Sequence, residues 1–301
     1  MAEQKSIYLK FIEQGLQVAA AIPKYFSRFS NKLFDNHQKL VLLVLRQKLR
    51  STYRDLVELL KITNIPQMLG LKRIPHFTTL IRFSQRLSPL LASGLLAYSC
   101  RMTAPAALQL GVDATGFSQE RGSEYYVIRA AKEIKQKKVM QVTACALLDK
   151  QMVSAVRIAE YKTVRNNNFR AVVRDSARLG TVEFVAADKG YDGNANHSFV
   201  MHDLHAQSLI CSKPHLSKRN RIRKQARMQF DEQKYHQRSK IETIFSCIKR
   251  KYGATLRSKS PLTRRRESLQ KVLAHNLDRL CQIIQRMILG LHQSWSIEFV
   301  A

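Results

Sequence analysis

Cysteine pairs, long apolar runs and acidic residues are all scarce in this sequence of 301 residues. The five cysteines are scattered and never form a Cys-x-x-Cys pair, which argues against a disulfide framework or a zinc site and favours a reducing, intracellular location. No run of about 18 consecutive apolar residues occurs, so neither a signal peptide nor a membrane span is indicated. We therefore expect a cytoplasmic protein that does not use a membrane.

The shortage of acidic residues gives the chain a strong positive charge. It has 51 Lys+Arg against 22 Asp+Glu, a formal net charge of +29. Glycine and proline are also few, at 11 and 7, while 45% of the residues are hydrophobic, so we expect a globular protein of two ordinary domains or one larger domain. Such a charge predicts a polyanionic partner, most commonly nucleic acid, with an anionic membrane surface as the alternative.

The charge is unevenly distributed along the chain. Residues 108–212 hold 14 basic and 11 acidic side chains and are nearly balanced, whereas residues 213–301 hold 21 and 6. The first 107 residues are again basic, with 16 and 5. This pattern indicates a carboxylate-bearing core between two basic surfaces that could hold a nucleic-acid backbone.

The N-terminal third has the apolar spacing of helices. A turn near Asn64–Gly70 separates two such helices from a third, which begins after Pro75 and carries Arg82 and Arg86 on its polar side. The order helix, helix, turn, helix is compatible with a helix-turn-helix DNA reader, in which these arginines meet phosphates or bases. A plain helical bundle with a solvated polar face fits the same pattern.

From residue 108 the periodicity changes to that of strands. Three consecutive strands predict an antiparallel meander, and the later alternation of strands with helices predicts a parallel extension of the same sheet. The predicted strands are Leu108–Asp113, Tyr125–Ile128, Val139–Leu148, Val182–Ala187 and Ser208–Cys211, with helices near 167–179 and 196–204. The fold class is therefore α/β, a mixed sheet with flanking helices preceded by an all-helical N-terminal domain.

Two aspartates stand where apolar strands are predicted to end. Asp113 closes the run Leu-Gly-Val-Asp, and Asp188 closes Phe-Val-Ala-Ala-Asp. Acids at that edge of an open α/β sheet are placed to bind a ligand, although aspartate at a strand end is also a common turn former. Asp192 lies close by, and we interpret it as a loop-capping residue.

A third acid, Glu242, comes from a predicted helix with an unusual face. At about 100° per residue, four side chains fall within an arc of about 60°. They are Tyr235, Arg238, Glu242 and Lys249. An apolar stripe adjoins them, which would lay the helix on the sheet with Glu242 at the border between core and groove; it consists of Ile241, Phe245, Ile248 and Tyr252. The alternative is a solvated face with incidental charges.

Converging carboxylates repel one another unless a cation lies between them, so the three acids predict a divalent-metal site. Oxygen-only ligands suit Mg²⁺ or Mn²⁺ and disfavour zinc. Two such ions activate a water or a 3′-hydroxyl and stabilise the leaving oxygen of a phosphodiester. The neighbouring Tyr235, Arg238 and Lys249 would then hold flanking phosphates.

These motifs resemble a known family. The spacing Tyr235-x-x-Arg238-x-x-x-Glu242, followed by Lys249, resembles the Tyr-Arg-Glu-Lys signature of DDE transposases of prokaryotic insertion sequences. The segments around Asp113 and Asp188 are similar to that family's first and second aspartate motifs. The resemblance implies a ribonuclease-H-like core with Asp113, Asp188 and Glu242 as catalytic, metal-binding acids. It also implies cleavage of the 3′ ends of a mobile element and their transfer to target DNA.

The domain limits follow from this assignment. We expect a helical DNA-end-binding region at 1–105, a catalytic domain at 106–290 and a C-terminal tail at 291–301. Processing of two element ends requires two active sites, so a homodimer on double-stranded DNA is expected, associated with the nucleoid. A metal-dependent nuclease without strand transfer and a catalytically silent DNA-binding protein are the alternatives.

A basic run just before the Glu242 helix, Lys213–Arg227, contains no acid. It predicts a strap along the DNA backbone, and the alternative is a mobile solvated loop. The candidate phosphate contacts in this run are Lys218, Arg219, Arg221, Arg223 and Lys224.

Overall fold

The computed structural model describes residues 6–103, 107–119, 139–160, 167–212 and 221–298. The chain divides into two compact units, a helical unit of Met1–Ala104 with Leu273–Ala301, and a sheet unit of Pro105–Val272. The final helix runs from Pro261 to Glu298, so it contributes to both units and includes residues 291–298, which the sequence assigns to a C-terminal tail. This division differs from the predicted one, which placed residues up to 290 in the catalytic domain.

The helical unit begins with six helices, and sequence-local caps explain where the longer ones start. They are α1 (Ile7–Ala19), α2 (Asn36–Lys48), α3 (Tyr53–Lys61), α4 (Ile65–Met68), α5 (Phe77–Arg86) and α6 (Pro89–Arg101). Asp35 forms a reciprocal capping box at the start of α2, and Thr52 forms one at the start of α3. Each box satisfies backbone N–H groups that have no partner within the helix. α5 packs on both α2 and α3, with Leu80 and Phe83 buried.

Buried polar contacts join the final helix to the other helices of this unit. Lys48 of α2 forms an ion pair with Asp278, and only about a tenth of each side chain is exposed (12% and 10%). The Asn276 amide donates to Ser99 Oγ of α6 at 2.9 Å. Residues from 273 onward therefore share their core with the N-terminal helices.

The sheet unit contains a mixed sheet of six strands among the described residues. The strands are β1 (Ala107–Gln119), β2 (Val139–Leu147), β3 (Met152–Glu160), β4 (Thr181–Ala187), β5 (Gln207–Ile210) and β6 (Thr255–Leu256). Their order is β3-β2-β1-β4-β5, and β6 adds to β1 at Ser118 and Gln119. β1, β2 and β3 are antiparallel, while β4 and β5 continue in parallel with β1. The predicted mixed α/β class is confirmed.

The helices of this unit cover the sheet. α7 (Asn167–Ala177) packs on the first four strands with Phe169, Val172 and Val173 buried. Among the residues that the structure describes, four further α-helices follow before the final helix α12 (Pro261–Glu298). They are α8 (Asn194–Ser198), α9 (Arg221–Met228), α10 (Glu232–His236) and α11 (Ser239–Tyr252).

Two strand predictions need comment. The predicted strand Tyr125–Ile128 lies outside the described residues. β2 pairs antiparallel with both β1 and β3, and the sequence pattern did not reveal β3; a tight turn with Gln151 at φ 54° joins β2 and β3.

Candidate active site

Asp113 lies in the middle of β1, not at its end. The strand continues to Gln119, with Asp113 opposite Ala144 of β2, so the prediction that the strand stops at this residue is wrong. The chain keeps pairing with β2 through the more polar residues that follow, and this long-range pairing extends the strand. Asp113 remains half-buried, and its carboxylate accepts the N–H of Ala114 at 2.8 Å.

Asp188 follows β4 directly, as predicted. Val112 of β1 lies opposite Ala187 of the parallel strand β4, so Asp113 and Asp188 each come one residue after a paired position. The Asp188 carboxylate accepts the N–H of Lys189 at 2.7 Å and caps a single 3₁₀ turn, Lys189–Tyr191. Both acids line one cleft of about 250 Å³, together with Gln141 and Tyr191, which sequence reasoning missed.

Glu242 extends from the first turn of α11. This helix packs on β1, and its apolar stripe, predicted from the spacing as Ile241, Phe245, Ile248 and Tyr252, is buried together with Ile244. The Glu242 side chain is 54% exposed and accepts a hydrogen bond from Arg238 Nη2 at 2.7 Å. The same guanidinium lies 3.9 Å from Asp113 Oδ2. Arg238 therefore links the strand acid to the helix acid.

The predicted four-residue helical face is interrupted. α11 begins at Ser239, and Tyr235 belongs to the separate short helix α10, so the prediction of one continuous helix is wrong. Tyr235 nevertheless stays beside Arg238, whose guanidinium carbon lies 5.9 Å from the ring centre. Lys249 lies two helical turns beyond Glu242, about 10 Å along the axis, and is half-exposed.

The acids influence one another electrostatically. Burial raises the pKa of Asp113, and the carboxylates of Glu242 and Asp188 raise it further, against the opposing effects of the Ala114 N–H and Arg238. Burial disfavours the charge on Arg238, but Glu242, Tyr235 and Asp113 outweigh it and raise the pKa of the guanidinium. Burial also raises the pKa of Tyr235. Asp113 therefore lies where an additional cation would stabilise its ionised form.

The donor set fits a hard divalent cation by its chemistry. Three carboxylates supply only oxygen, which Mg²⁺ and Mn²⁺ prefer. Within the described ranges, however, no group of three or more His, Cys, Asp or Glu side chains is assembled closely enough to hold a metal ion. At Glu242 the carboxylate is instead hydrogen-bonded to Arg238.

The predicted basic strap is only partly described. Lys218 and Arg219 lie outside the described residues. Arg221 and Lys224 are exposed on α9, as a phosphate-binding role requires. Arg223 instead turns inward and binds Asp192, whose side chain is fully buried, so the run does not present all its cations on one surface. The interpretation of Asp192 as a loop cap missed this ion pair.

Comparison with known proteins identifies the sheet unit. The family model of the transposase DDE domain matches residues 108–277, which is more than half of the chain. The chain belongs to the DDE transposase domain family. No curated protein and no solved structure matches it.

Membership of this transposase family indicates the general chemistry of the site. Transposases of this kind act on DNA by metal-dependent cleavage and transposition, generally with Mg²⁺, and the mixed sheet is consistent with a ribonuclease-H-like DDE domain. The matched region contains all three candidate acids, whereas Arg82 and Arg86 on α5 lie before it.

Across the described residues, no helix of this transposase-family chain is long and apolar enough to cross a membrane.

Proposed function

We propose that the chain is a transposase that cleaves the DNA ends of its own mobile element and joins each 3′-hydroxyl to a phosphodiester of target DNA. The observation that carries this proposal is the placement of Asp113 and Asp188 in one cleft, on neighbouring parallel strands, with Glu242 linked to Asp113 through Arg238. All three acids also lie within residues 108–277, the region that the family model matches, which supports the proposal.

In this proposal Asp113, Asp188 and Glu242 hold two Mg²⁺ or Mn²⁺ ions. When bound, such ions activate a water or 3′-hydroxyl and stabilise the leaving oxygen of the phosphodiester. The chain's own side chains bind and orient the DNA backbone: the cation Arg238 and the phenol of Tyr235 beside the acids, and the cations Lys249 further along α11 and Arg221 and Lys224 on α9. Lys218 and Arg219 belong to the same set.

We assign element-end binding to the helical unit. The face of α5 that carries Arg82, Gln85 and Arg86 is exposed, while Leu80 and Phe83 on its other side are buried. Such a polar and basic face on the helix after a turn has the chemistry that major-groove reading uses. Because each chain has one set of acids, two element ends require a homodimer on the DNA, and such a protein works in the cytoplasm on the nucleoid.

The test is to incubate the purified protein and Mg²⁺ with DNA carrying the sequences that flank its own gene. We expect nicking at the 3′ ends followed by joined products, and neither in EDTA. Nicked products without joining would favour the nuclease alternative, and binding without cleavage in both Mg²⁺ and Mn²⁺ would favour a DNA-binding protein. The mass of the complex on paired ends tests the dimer, because a single protomer per pair would exclude it.

The position of Arg238 leads to a prediction with opposite signs in two measurements. Arg238→Gln removes one phosphate-binding cation, so we expect weaker DNA binding and a salt-dependence slope smaller by about 0.9. It also frees Glu242 from its ion pair, so binding of Mn²⁺ to the DNA-free protein should strengthen, as measured by titration calorimetry. Arg178→Gln, a surface variant of a side chain that is 73% exposed, is the control and should change neither quantity. Weaker Mn²⁺ binding in Arg238→Gln would contradict the prediction.

A further inference from the structure

Arg223 of the described basic helix α9 is engaged in a buried ion pair. Its side chain is 13% exposed, and both its Nε and Nη2 donate to Asp192, with Nε 2.8 Å from Oδ1. Its neighbours Arg221, Lys224 and Gln225 on the same helix are exposed. A bidentate guanidinium–carboxylate contact fixes orientation as well as distance. Through Arg223 it therefore holds α9 against Asp192.

The acceptor Asp192 is itself held from the other side. His197, which is fully buried, places Nε2 at 3.1 Å from Asp192 Oδ1 and Nδ1 at 2.9 Å from Ser208 Oγ of β5. Burial lowers the pKa of His197, which favours the neutral ring. In that form the Nε2–H donates a hydrogen bond to Asp192, and Nδ1 accepts a hydrogen bond from the Ser208 hydroxyl. Four side chains thus form one hydrogen-bonded chain from α9 to the sheet.

Asp192 also lies at the far end of the turn that Asp188 begins. Asp188 caps the start of the 3₁₀ turn Lys189–Tyr191 and Asp192 its end, and the N–H of Tyr191 donates to the carbonyl of Asp188 at 2.9 Å. Asn196 holds the same turn by donating to the Tyr191 carbonyl at 2.8 Å. Tyr191 lines the cleft that contains Asp113 and Asp188. A displacement of Asp192 would therefore move the turn on which Asp188 depends.

We propose that Arg223 and Asp192 are positioning residues whose ion pair fixes the basic helix α9 to the turn carrying Asp188. Arg223 then makes no contact with DNA, while Arg221 and Lys224 on the exposed face do. The ion pair sets the position of the DNA-binding helix relative to the cleft, so backbone binding and cleavage share one rigid connection. The part that concerns cleavage rests on the proposed function; the part that concerns the anchoring of α9 does not.

The salt dependence of DNA binding separates a phosphate contact from a positioning role. Lys224→Gln, the phosphate-contact comparator, should lower the slope of log K against log salt by about 0.9. Arg223→Gln should leave that slope near the wild-type value. It should instead lower the single-turnover cleavage rate at saturating DNA by about 10- to 100-fold, because loss of a residue that orients a metal ligand typically has an effect of this size. Arg223→Gln that lowers the slope as Lys224→Gln does, without loss of cleavage rate, would overturn the proposal.

Hydrogen exchange without DNA or metal tests the anchor independently of any activity. In Asp192→Asn and Arg223→Gln we expect faster amide exchange in residues 221–228 and 189–192 than in wild type, with Gln225→Ala, an exposed change on the same helix, as the unchanged control. Wild-type exchange rates in both variants would overturn the proposal. A wild-type protein that cleaves no DNA would overturn the proposed function instead, and would leave the exchange result standing.

A conservative variant covers the case in which a buried charge left alone prevents folding. Arg223→Lys keeps the positive charge but cannot form the bidentate contact with Asp192. Its exchange and cleavage rates should therefore lie between those of wild type and Arg223→Gln. Thermal unfolding shows whether each variant is folded. Full wild-type behaviour of Arg223→Gln in both exchange and cleavage rejects the positioning role, whatever the result for Asp192→Asn.

Discussion

Replacing Asp188 with asparagine is expected to lower Mg²⁺-dependent cleavage of the element ends by more than about 100-fold. The amide is isosteric but lacks the negative charge that a divalent cation requires, and loss of residues that merely orient a ligand already costs about 10- to 100-fold. The main-chain contact of Asp188 with Lys189 needs only an acceptor oxygen, which asparagine retains. We therefore expect a folded protein that binds DNA but does not cut it, as measured by single-turnover cleavage and by gel shift.

Asp113→Asn and Glu242→Gln should give the same separation of binding from cleavage. Asp203→Asn is the matched control, because this carboxylate is exposed at the end of a single π-helical turn and does not line the cleft. DNA binding should be unchanged or slightly stronger in the variants of Asp113, Asp188 and Glu242, since each removes a negative charge near the phosphates. Cleavage by Asp188→Asn at the wild-type rate would exclude this residue as a metal-binding acid.

The parts of the site that depend on local pattern could be predicted from the sequence. Asp188 follows a short apolar run, and β4 ends at Ala187, where the pattern places it. The apolar spacing of the Glu242 helix predicts its buried stripe for the same reason, because helix periodicity alone decides which side chains share a face. The catalytic roles of Asp113, Asp188 and Glu242 stay predictions.

What the sequence could not reveal depends on partners distant in the chain. β1 extends past Asp113 because β2 pairs with it, and β3 is held by β2 rather than by a distinctive pattern of its own. Arg223 resembles its basic neighbours in every local respect, yet Asp192, 31 residues away, draws it into the interior. The spacing of Tyr235, Arg238, Glu242 and Lys249 likewise does not indicate the break between α10 and α11, because it continues in helical phase across that break.

The limits of the helical unit show the same effect over a longer distance. Lys48 and Asp278 are 230 residues apart, and no local pattern indicates that they meet. The resemblance to the family predicts a single catalytic domain up to residue 290. The compact units instead divide at Leu273, and Asn276, Asp278 and Gln285 make polar contacts with α6, α2 and α1 respectively.

Removal of the Asp278 carboxylate should therefore destabilise the helical unit strongly. Asp278→Ala leaves the Lys48 ammonium nearly buried, over the rings of Phe11 and Tyr8, without its carboxylate. Breaking one side of a buried ion pair costs about 3–5 kcal/mol of unfolding free energy, and urea unfolding followed by circular dichroism measures it. Arg178→Gln, which disturbs only an exposed ion pair, should cost less than about 1 kcal/mol.

The double variant Lys48→Met/Asp278→Leu distinguishes the cost of a buried charge from a loss of packing. It removes both charges and fills the site with apolar side chains, so we expect most of the lost stability to return. If the double variant is as unstable as Asp278→Ala, the destabilisation arises from lost packing or from other contacts of Asp278. If Asp278→Ala itself unfolds like wild type, the ion pair does not stabilise the final helix in the helical unit.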